Sequence, residues 1–427
     1  MSRYSSYKPI DIPWLESIPA HWDIQKNKNV LVEKKELVGE RASDYTLLSL
    51  TLKGVVPRDV TSGKGKFPKS FDTYKVVKKG DMAFCLFDMD ETPRTVGLSV
   101  CDGMLTGAYD IFGVEGINSK FLNYYYTALD DRKALRYYYS GLRKTVNVNT
   151  FLNLKLPVPP VEEQEKIVNY LDWKSALASK LLHAKKKEVE LLRELRDTVF
   201  NDAIAGSTET IKLKHLVKLI YDEVEIDESS MYRKAGMYNQ GRGIFAREEV
   251  SGDAMGDSKF QYIHRGCIML SGQFAWEGAV YVTTANDEIA VASHRYYLLR
   301  PTQSRIPAEY IYAYLASEKG VLDMNRCSHG AAGRNKPLNI KELLNIEIPL
   351  PNNDGSIDRI IKAVNSLMDF QLHITEKIKV IEEMRAKLVF DVVTGNEDIT
   401  KVTIPDYSVE EDSFEDNDET EEDEEEE

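Results

Sequence analysis

The sequence predicts an α+β protein: two mixed α/β domains in pseudo-twofold repeat, joined by two long helices in an antiparallel coiled coil. Three observations predict it. Leu154-Lys155-Leu156-Pro157-Val158-Pro159 returns as Ile346-Glu347-Ile348-Pro349-Leu350-Pro351 after 192 residues, a period suited to a duplicated half-protein and too long for a solenoid. Two stretches, 161–205 and 357–394, contain no proline and no glycine except Gly395 just beyond, so each supports a helix of about forty residues. The second stretch keeps an unbroken three-then-four spacing of Ile357, Ile360, Val364, Leu367, Gln371, Ile374, Ile378, Ile381, Arg385, Leu388 and Val392, a heptad seam that needs a partner helix.

Taken in chain order, residues 1–155 form the first domain. Trp14, Leu15, Ile18 and Trp22, with Pro13 and Pro19 fixing the backbone, read as an apolar clamp. Short β-rich runs broken by glycine follow, such as Lys75 to Phe87, then a short helix carrying Tyr124-Tyr125-Tyr126. The Tyr runs, including Tyr137-Tyr138-Tyr139, raise base stacking as an option, but helical spacing favours core packing. Residues 156–206 form the first long helix, with a looser seam through Ile167, Leu171, Leu181, Val189, Leu192 and Val199. Residues 207–351 repeat the domain plan. Gly141, Lys144, Val146, Asn147, Phe151 and Leu152 correspond to Gly333, Lys336, Leu338, Asn339, Leu343 and Leu344 at the 192-residue shift. Residues 352–400 form the second long helix, matched to the first at shifts of 193 and then 189, which makes it four residues shorter. Residues 401–427 form an acidic tail that cannot bury enough apolar surface to fold.

The net charge of −14 resides in that tail: residues 406–427 hold fifteen Asp and Glu and no Lys or Arg, which leaves 55 basic against 54 acidic side chains elsewhere. Residues 1–155 carry 23 basic and 18 acidic side chains, a weak argument for a nucleic-acid partner. Neither a run of about 18 apolar residues nor a secretion signal is present, so the protein reads as cytoplasmic and without a membrane partner. Cys85, Cys101, Cys267 and Cys327, spaced 16, 166 and 60 apart, lack metal-ligand spacing and read as reduced thiols.

Ile12-Pro13-Trp14-Leu15-Glu16-Ser17-Ile18-Pro19-Ala20-His21-Trp22 resembles the opening signature of specificity subunits of type I restriction-modification enzymes. Leu156-Pro157-Val158-Pro159-Pro160-Val161-Glu162-Glu163-Gln164-Glu165-Lys166-Ile167-Val168 resembles the start of that family's first conserved helix. The resemblance covers residues 1 to about 400. It implies two target recognition domains joined by paired helices, and partners that are double-stranded DNA, two methyltransferase subunits and two restriction or motor subunits. S-adenosylmethionine, ATP and magnesium would then serve those partners, with no cofactor in this chain. Asn352-Asn353-Asp354-Gly355-Ser356 departs from the pattern at the second helix.

Duplex recognition needs cations at phosphates and amide, guanidinium or acidic groups at base edges. Basic turns are therefore the DNA-binding candidates: Lys64, Lys66, Lys69, Arg94, Arg143 and Lys144 in the first domain, and Asn239, Gln240, Arg242, Arg334, Asn335 and Lys336 in the second. Arg143-Lys144 and Asn335-Lys336 recur at equivalent positions, which suits either a shared reading role or a shared fold requirement. No catalytic or metal-ligating residue is assigned. The chain lacks an Asp/Asn-Pro-Pro-aromatic methyltransferase loop, a Walker loop and a nucleophile elbow, while Glu33-Lys34-Lys35 and Asp88, Asp90 and Glu91 read as charged turns rather than nuclease carboxylates. The rival readings are a coiled-coil protein-binding adaptor without DNA recognition and an autonomous endonuclease. For the tail, solubilisation stands beside competition with DNA phosphates for the basic loops.

Overall fold

The computed structural model describes residues 3–58, 70–205, 207–330 and 336–407. The chain divides into two compact units, one taking residues up to Leu181 and from Val380 onward, the other Leu182–Lys379. In the first unit the elements run β1 (Tyr7–Ile12), β2 (Leu15–Pro19), β3 (Asp23–Lys26), β4 (Leu31–Lys34), β5 (Leu48–Thr51), β6 (Gly54–Pro57), β7 (Lys75–Val77), β8 (Met82–Phe84), β9 (Val96–Leu98), β10 (Gly103–Leu105), β11 (Asp110–Val114), α1 (Ser119–Asp131), α2 (Val148–Asn153), β12 (Lys155–Val158) and the start of α3 (Val161–Ile204). The second unit contains β13 (Thr210–Lys212), β14 (Val217–Ile220), β15 (Met231–Tyr238), β16 (Gly243–Ser251), β17 (Phe260–Tyr262), β18 (Ile268–Ser271), β19 (Val280–Val282), β20 (Val291–Ser293), β21 (Tyr296–Pro301), α4 (Ala308–Leu315), α5 (Glu318–Arg326), α6 (Ile340–Leu343), β22 (Glu347–Pro349) and most of α7 (Asp354–Val393).

The repeat extends to strand order. A four-stranded antiparallel sheet β4-β11-β8-β9 in the first unit has its counterpart in β14-β21-β18-β19 in the second. The pair β12-β3 answers to β22-β13, and β10-β7 to β20-β17, each antiparallel. The hairpin β5-β6 answers to the longer β15-β16, with eight and nine residues per strand against four. Thus the Pro-x-Pro segment is an edge strand in both units, where the missing proline N–H costs little.

Asparagines set the short helices. Asn118 Oδ1 accepts from Lys120 N at 3.0 Å and Phe121 N at 3.2 Å to start α1. Asn147 Oδ1 accepts from Asn149 N at 2.9 Å for α2, and Asn339 Oδ1 from Lys341 N at 3.2 Å for α6. The repeated Asn147 and Asn339 are thus helix caps, whose short side chain satisfies the otherwise unpaired first-turn N–H groups.

The two long helices have 44 and 40 residues, which gives the four-residue difference that the sequence predicts. Each unit's core draws on both helices. In the first, Ile167 and Leu171 of α3 and Val392 and Val393 of α7 join Ile18, Trp22, Phe121 and Phe151. In the second, Phe200 and Ala203 of α3 and Ile360 and Val364 of α7 join Met269, Tyr310 and Leu343. Asn352 N also donates to Ala203 O at 3.1 Å and its Nδ2 to Ala205 O at 2.9 Å, tying the end of α3 to the start of α7.

Two expectations change. α7 begins three residues before Ile357 and includes Gly355, because Asn353 Oδ1 accepts from Ser356 N at 2.9 Å and caps the first turn. Leu181 is 45% exposed, although the sequence seam includes it. Ten residues after Leu171 corresponds to about 280° of rotation at 100° per residue, so Leu181 leaves that face. Its neighbour Leu182 is half-buried instead. On α7 the seam is buried from Ile357 to Ile374, while Arg385 is exposed.

Candidate nucleic-acid interface

The two motifs that carry the resemblance meet at one carboxylate. Glu163, in the first turn of α3 and 9% exposed, accepts from Tyr4 Oη at 2.5 Å and Trp22 Nε1 at 3.1 Å, and pairs with His21 Nε2 at 2.7 Å. Burial first, and the adjacent carboxylate second, push the Tyr4 phenol far above its usual range, so it stays a donor. Gln164, 1% exposed, accepts from Asn118 N at 2.8 Å and donates to Pro159 O at 2.8 Å, locking the start of α1 to the Pro-x-Pro turn. Leu15, Ile18 and Trp22 are buried and Trp14 is half-buried, as the clamp reading requires. This is scaffold chemistry: Trp22 Nε1, Glu163 and Gln164 are spent on bonds inside the protein.

In the first unit the Ser140–Thr145 hairpin holds Arg143 and Lys144. Ser140 and Thr145 exchange backbone hydrogen bonds at 2.9 and 3.0 Å, and Asp88 N donates to Arg143 O at 2.7 Å. The Arg143 guanidinium grips Asp88 with its Nε at 3.1 Å from both carboxylate oxygens and lies 5.0 Å from the Phe87 ring centroid. Arg143 holds the Asp88 carboxyl below its usual range. Lys144, at φ +43°, is exposed and free of any such partner among the described residues. Arg94 is different: 14% exposed, it bridges Asp130 at 3.2 Å and Asp131 at 2.8 Å. It neutralises the nearly buried Asp130, which also accepts from Thr95 N at 2.9 Å and Oγ1 at 2.7 Å. Its guanidinium is occupied as a structural counter-ion. Lys64, Lys66 and Lys69 lie outside the described residues.

In the second unit the β15-β16 turn presents Asn239, Gln240 and Arg242. Gln240 (φ +59°) and Gly241 (φ +64°) turn the chain left-handedly. Gln240 N donates to Glu277 O at 3.0 Å, Gly241 N to Gly278 O at 2.9 Å, and Asn239 Nδ2 to the Glu277 carboxylate. Asn239 is therefore committed to holding the turn, while Gln240 and Arg242 are exposed. Lys336 Nζ stands 4.6 Å from the Trp276 ring centroid. Arg334 and Asn335 lie outside the described residues, as does the tail from residue 408. The candidates of the two halves thus occupy separate turns within their own units.

The remaining candidate chemistry dissolves into packing. Tyr125 and Tyr126 are 1% and 3% exposed, although Tyr137 is exposed at 57%. Glu33 pairs with Lys35 at 3.0 Å, and Lys34 with Asp81 at 2.7 Å. Cys85, Cys267 and Cys327 are buried free thiols, and burial raises the pKa of each. Among the described residues no cluster of three or more His, Cys, Asp or Glu suits a metal, and no helix is long and apolar enough to cross a membrane. Sequence reasoning missed Arg193 and Arg196, three residues apart on α3, because helical arginines read as an ordinary solvated face. Only their buried setting distinguishes them.

Residues 105–191 match the family described as type I restriction modification DNA specificity domain. A solved chain from work on complex assembly and conformational transition of the type I R-M system is similar at TM-score 0.54 and 12% identity, over 89% of this chain and 99% of that one. The type I restriction-modification S subunit from M. genitalium gives 0.44 at 14% identity over 93% and 100%, and the HsdS subunit from Thermoanaerobacter tengcongensis 0.41 at 15% over 91% and 100%. No curated protein matches the chain. At TM-score 0.54 and 12% identity the likeness to the first of these chains is one of fold, that of a protein with two sheet-containing domains and long helices. Residues 105–191 thus carry the likeness to the type I restriction modification DNA specificity domain, and the remainder of the chain is matched at the level of fold.

Proposed function

We propose that this chain is the sequence-reading subunit of a type I restriction-modification complex and binds a bipartite, asymmetric DNA site. Residues 1–155 and 207–351 would be the two target recognition domains, each addressing one half-site, and residues 156–206 and 352–400 the spacer helices. The observation that carries this reading is the repeated sheet order combined with unlike residues on matching hairpins: the β5-β6 turn holds Leu52 and Lys53 where the β15-β16 turn holds Gln240 and Arg242. Equivalent scaffolds suit equivalent docking, and unlike side chains suit unlike bases.

Pairing of the long helices as an antiparallel coiled coil would make their length the ruler between half-sites. A forty-residue helix is about 60 Å long, against a groove repeat of about 34–36 Å. Two methyltransferase subunits would assemble on the helices, joined for cleavage by two motor subunits, with S-adenosylmethionine, ATP and magnesium used by those partners in the cytoplasm.

The test is exchange of residues 1–155 for the first domain of another family member, followed by sequencing of methylated sites. One half-site changes and the other persists; change in both halves overturns the modular reading. Salt-dependent binding of duplex DNA by the purified complex separates it from a protein adaptor, which gives none.

A further inference from the structure

We propose that Arg193 and Arg242 together form a seat for one phosphate of the DNA backbone, with Arg196 and Tyr312 positioning them. This rests on the DNA-reading function proposed above and adds a contact site on α3 that the basic turns alone do not contain.

The seat lies wholly within the second unit. Arg196, 6% exposed, donates through Nη2 to Ala316 O at 3.0 Å at the end of α4, pairs with Asp197 at 2.7 Å, and stacks 5.8 Å from the Tyr312 ring centroid. It has little left to offer a ligand. Tyr312 is fully buried, and from the other side Gly241 packs on it so closely that a Cβ there would lie 2.8 Å from the Tyr312 hydroxyl. The β15-β16 turn is therefore held against α4, and α4 against α3. Both arginines are brought to one neighbourhood by this sandwich.

Neither cation is matched. Arg193 is half-buried, has no ion pair among the described residues, and its Nε is buried without a hydrogen-bond partner. Arg242 is exposed, donates Nε to Asn239 O at 3.1 Å and lies 5.1 Å from the Tyr238 ring, again with no carboxylate partner. Burial chiefly, with Arg196 and Arg242 adding to it, lowers the pKa of Arg193, so like charges press on one another there. Two guanidinium groups without carboxylate partners, near enough for their charges to act on one another, suit a tetrahedral oxyanion, which accepts from planar N–H forks bidentately. Arg242 sits on the turn proposed above to face DNA, so the phosphodiester backbone is the phosphate within reach. The residue matching Arg193 in the second long helix, at the 189-residue shift, is Glu382, so the seat belongs to this half alone.

The experiment measures binding of the full chain to a random-sequence duplex of roughly three helical turns across a salt series. Each phosphate contact contributes about 0.9 to the slope of log affinity against log salt. Arg193→Gln and Arg242→Gln each lower the slope by about 0.9, and the double variant lowers it by the same amount rather than twice it, because one phosphate is shared. Arg193→Lys keeps the slope. Thermal melting checks folding, and Arg242→Gln, an exposed change, carries the test if Arg193→Gln unfolds. Parental binding with unchanged slopes in both variants overturns the seat and leaves the DNA reading intact; no salt-dependent binding by the parent overturns both. Inorganic phosphate titrated at fixed ionic strength without DNA distinguishes the source: saturable binding lost in Arg193→Gln, with the DNA salt slopes unchanged, assigns the seat to free phosphate and refutes the backbone contact.

Discussion

Removing the Glu163 carboxylate is expected to loosen the whole first unit. In Glu163→Ala, Trp22 Nε1 at 0% exposure and Tyr4 Oη at 9% lose their acceptor together. An unsatisfied buried donor costs about 1–3 kcal/mol, and loss of an acidic side chain from the first helical turn costs a further 0.3–1 kcal/mol or about that. The sum is about 3 kcal/mol after relief of the carboxylate's own desolvation. For a unit of this size each kcal/mol lowers the melting temperature by about 2–4 °C, so the expected shift is roughly 6–12 °C. Tryptophan fluorescence during thermal unfolding reads it, because Trp14, Trp22 and Trp173 report on the first unit and Trp276 on the second. Glu163→Gln, which keeps one acceptor but adds donors, falls between. A shift below about 1 °C in Glu163→Ala would refute the view that the two sequence signatures are joined by this carboxylate.

Other outcomes follow from the same geometry. Arg94→Ala leaves Asp130 with Lys133 as its remaining cation at 3.0 Å and lowers stability by about 1–2 kcal/mol in urea titration, while the salt slope of DNA binding stays unchanged below the melting temperature; a fallen slope would restore Arg94 as a phosphate contact. Gly395, at φ +78°, closes α7, and a Cβ there would lie 2.3 Å from Pro19 Cδ; Gly395→Ala therefore costs about 2 kcal/mol or more, read in the same titration. Alkylation of the native chain with iodoacetamide modifies the half-exposed Cys101 first, with Cys85, Cys267 and Cys327 protected until unfolding; mass spectrometry of tryptic peptides reports the order.

Much of the fold was legible because it depends on local periodicity. The 192-residue return of the Pro-x-Pro strands, the seam from Ile357 to Ile374 and the four-residue difference in helix length all concern residues whose roles follow from neighbours in sequence. Leu181 was misread because residue counting tolerates a gap of ten, whereas a helix turns through a fixed angle per residue. The recurrence of Asn147 and Asn339 was legible as a repeat but open in meaning, since an asparagine serves equally on a base edge or at a helix start; the bonds to Asn149 N and Lys341 N assign both to capping.

The site divides along the same line. Sequence alone offered basic turns as candidates, because short runs of glycine with lysine or arginine favour surface turns. Whether a given cation is free depends on partners far away in the chain, and only folding brought Asp130 to Arg94, Asp88 to Arg143 and Glu277 to Asn239. The pairing of His21 and Trp22 with Glu163, across more than 140 positions, and the meeting of α3 with the β15-β16 turn around Tyr312, are likewise tertiary events. Periodicity is a property of the chain, but charge compensation is a property of space. That is why the sequence determined the two-domain, two-helix plan, and the tertiary structure decided which side chains remain available to a ligand.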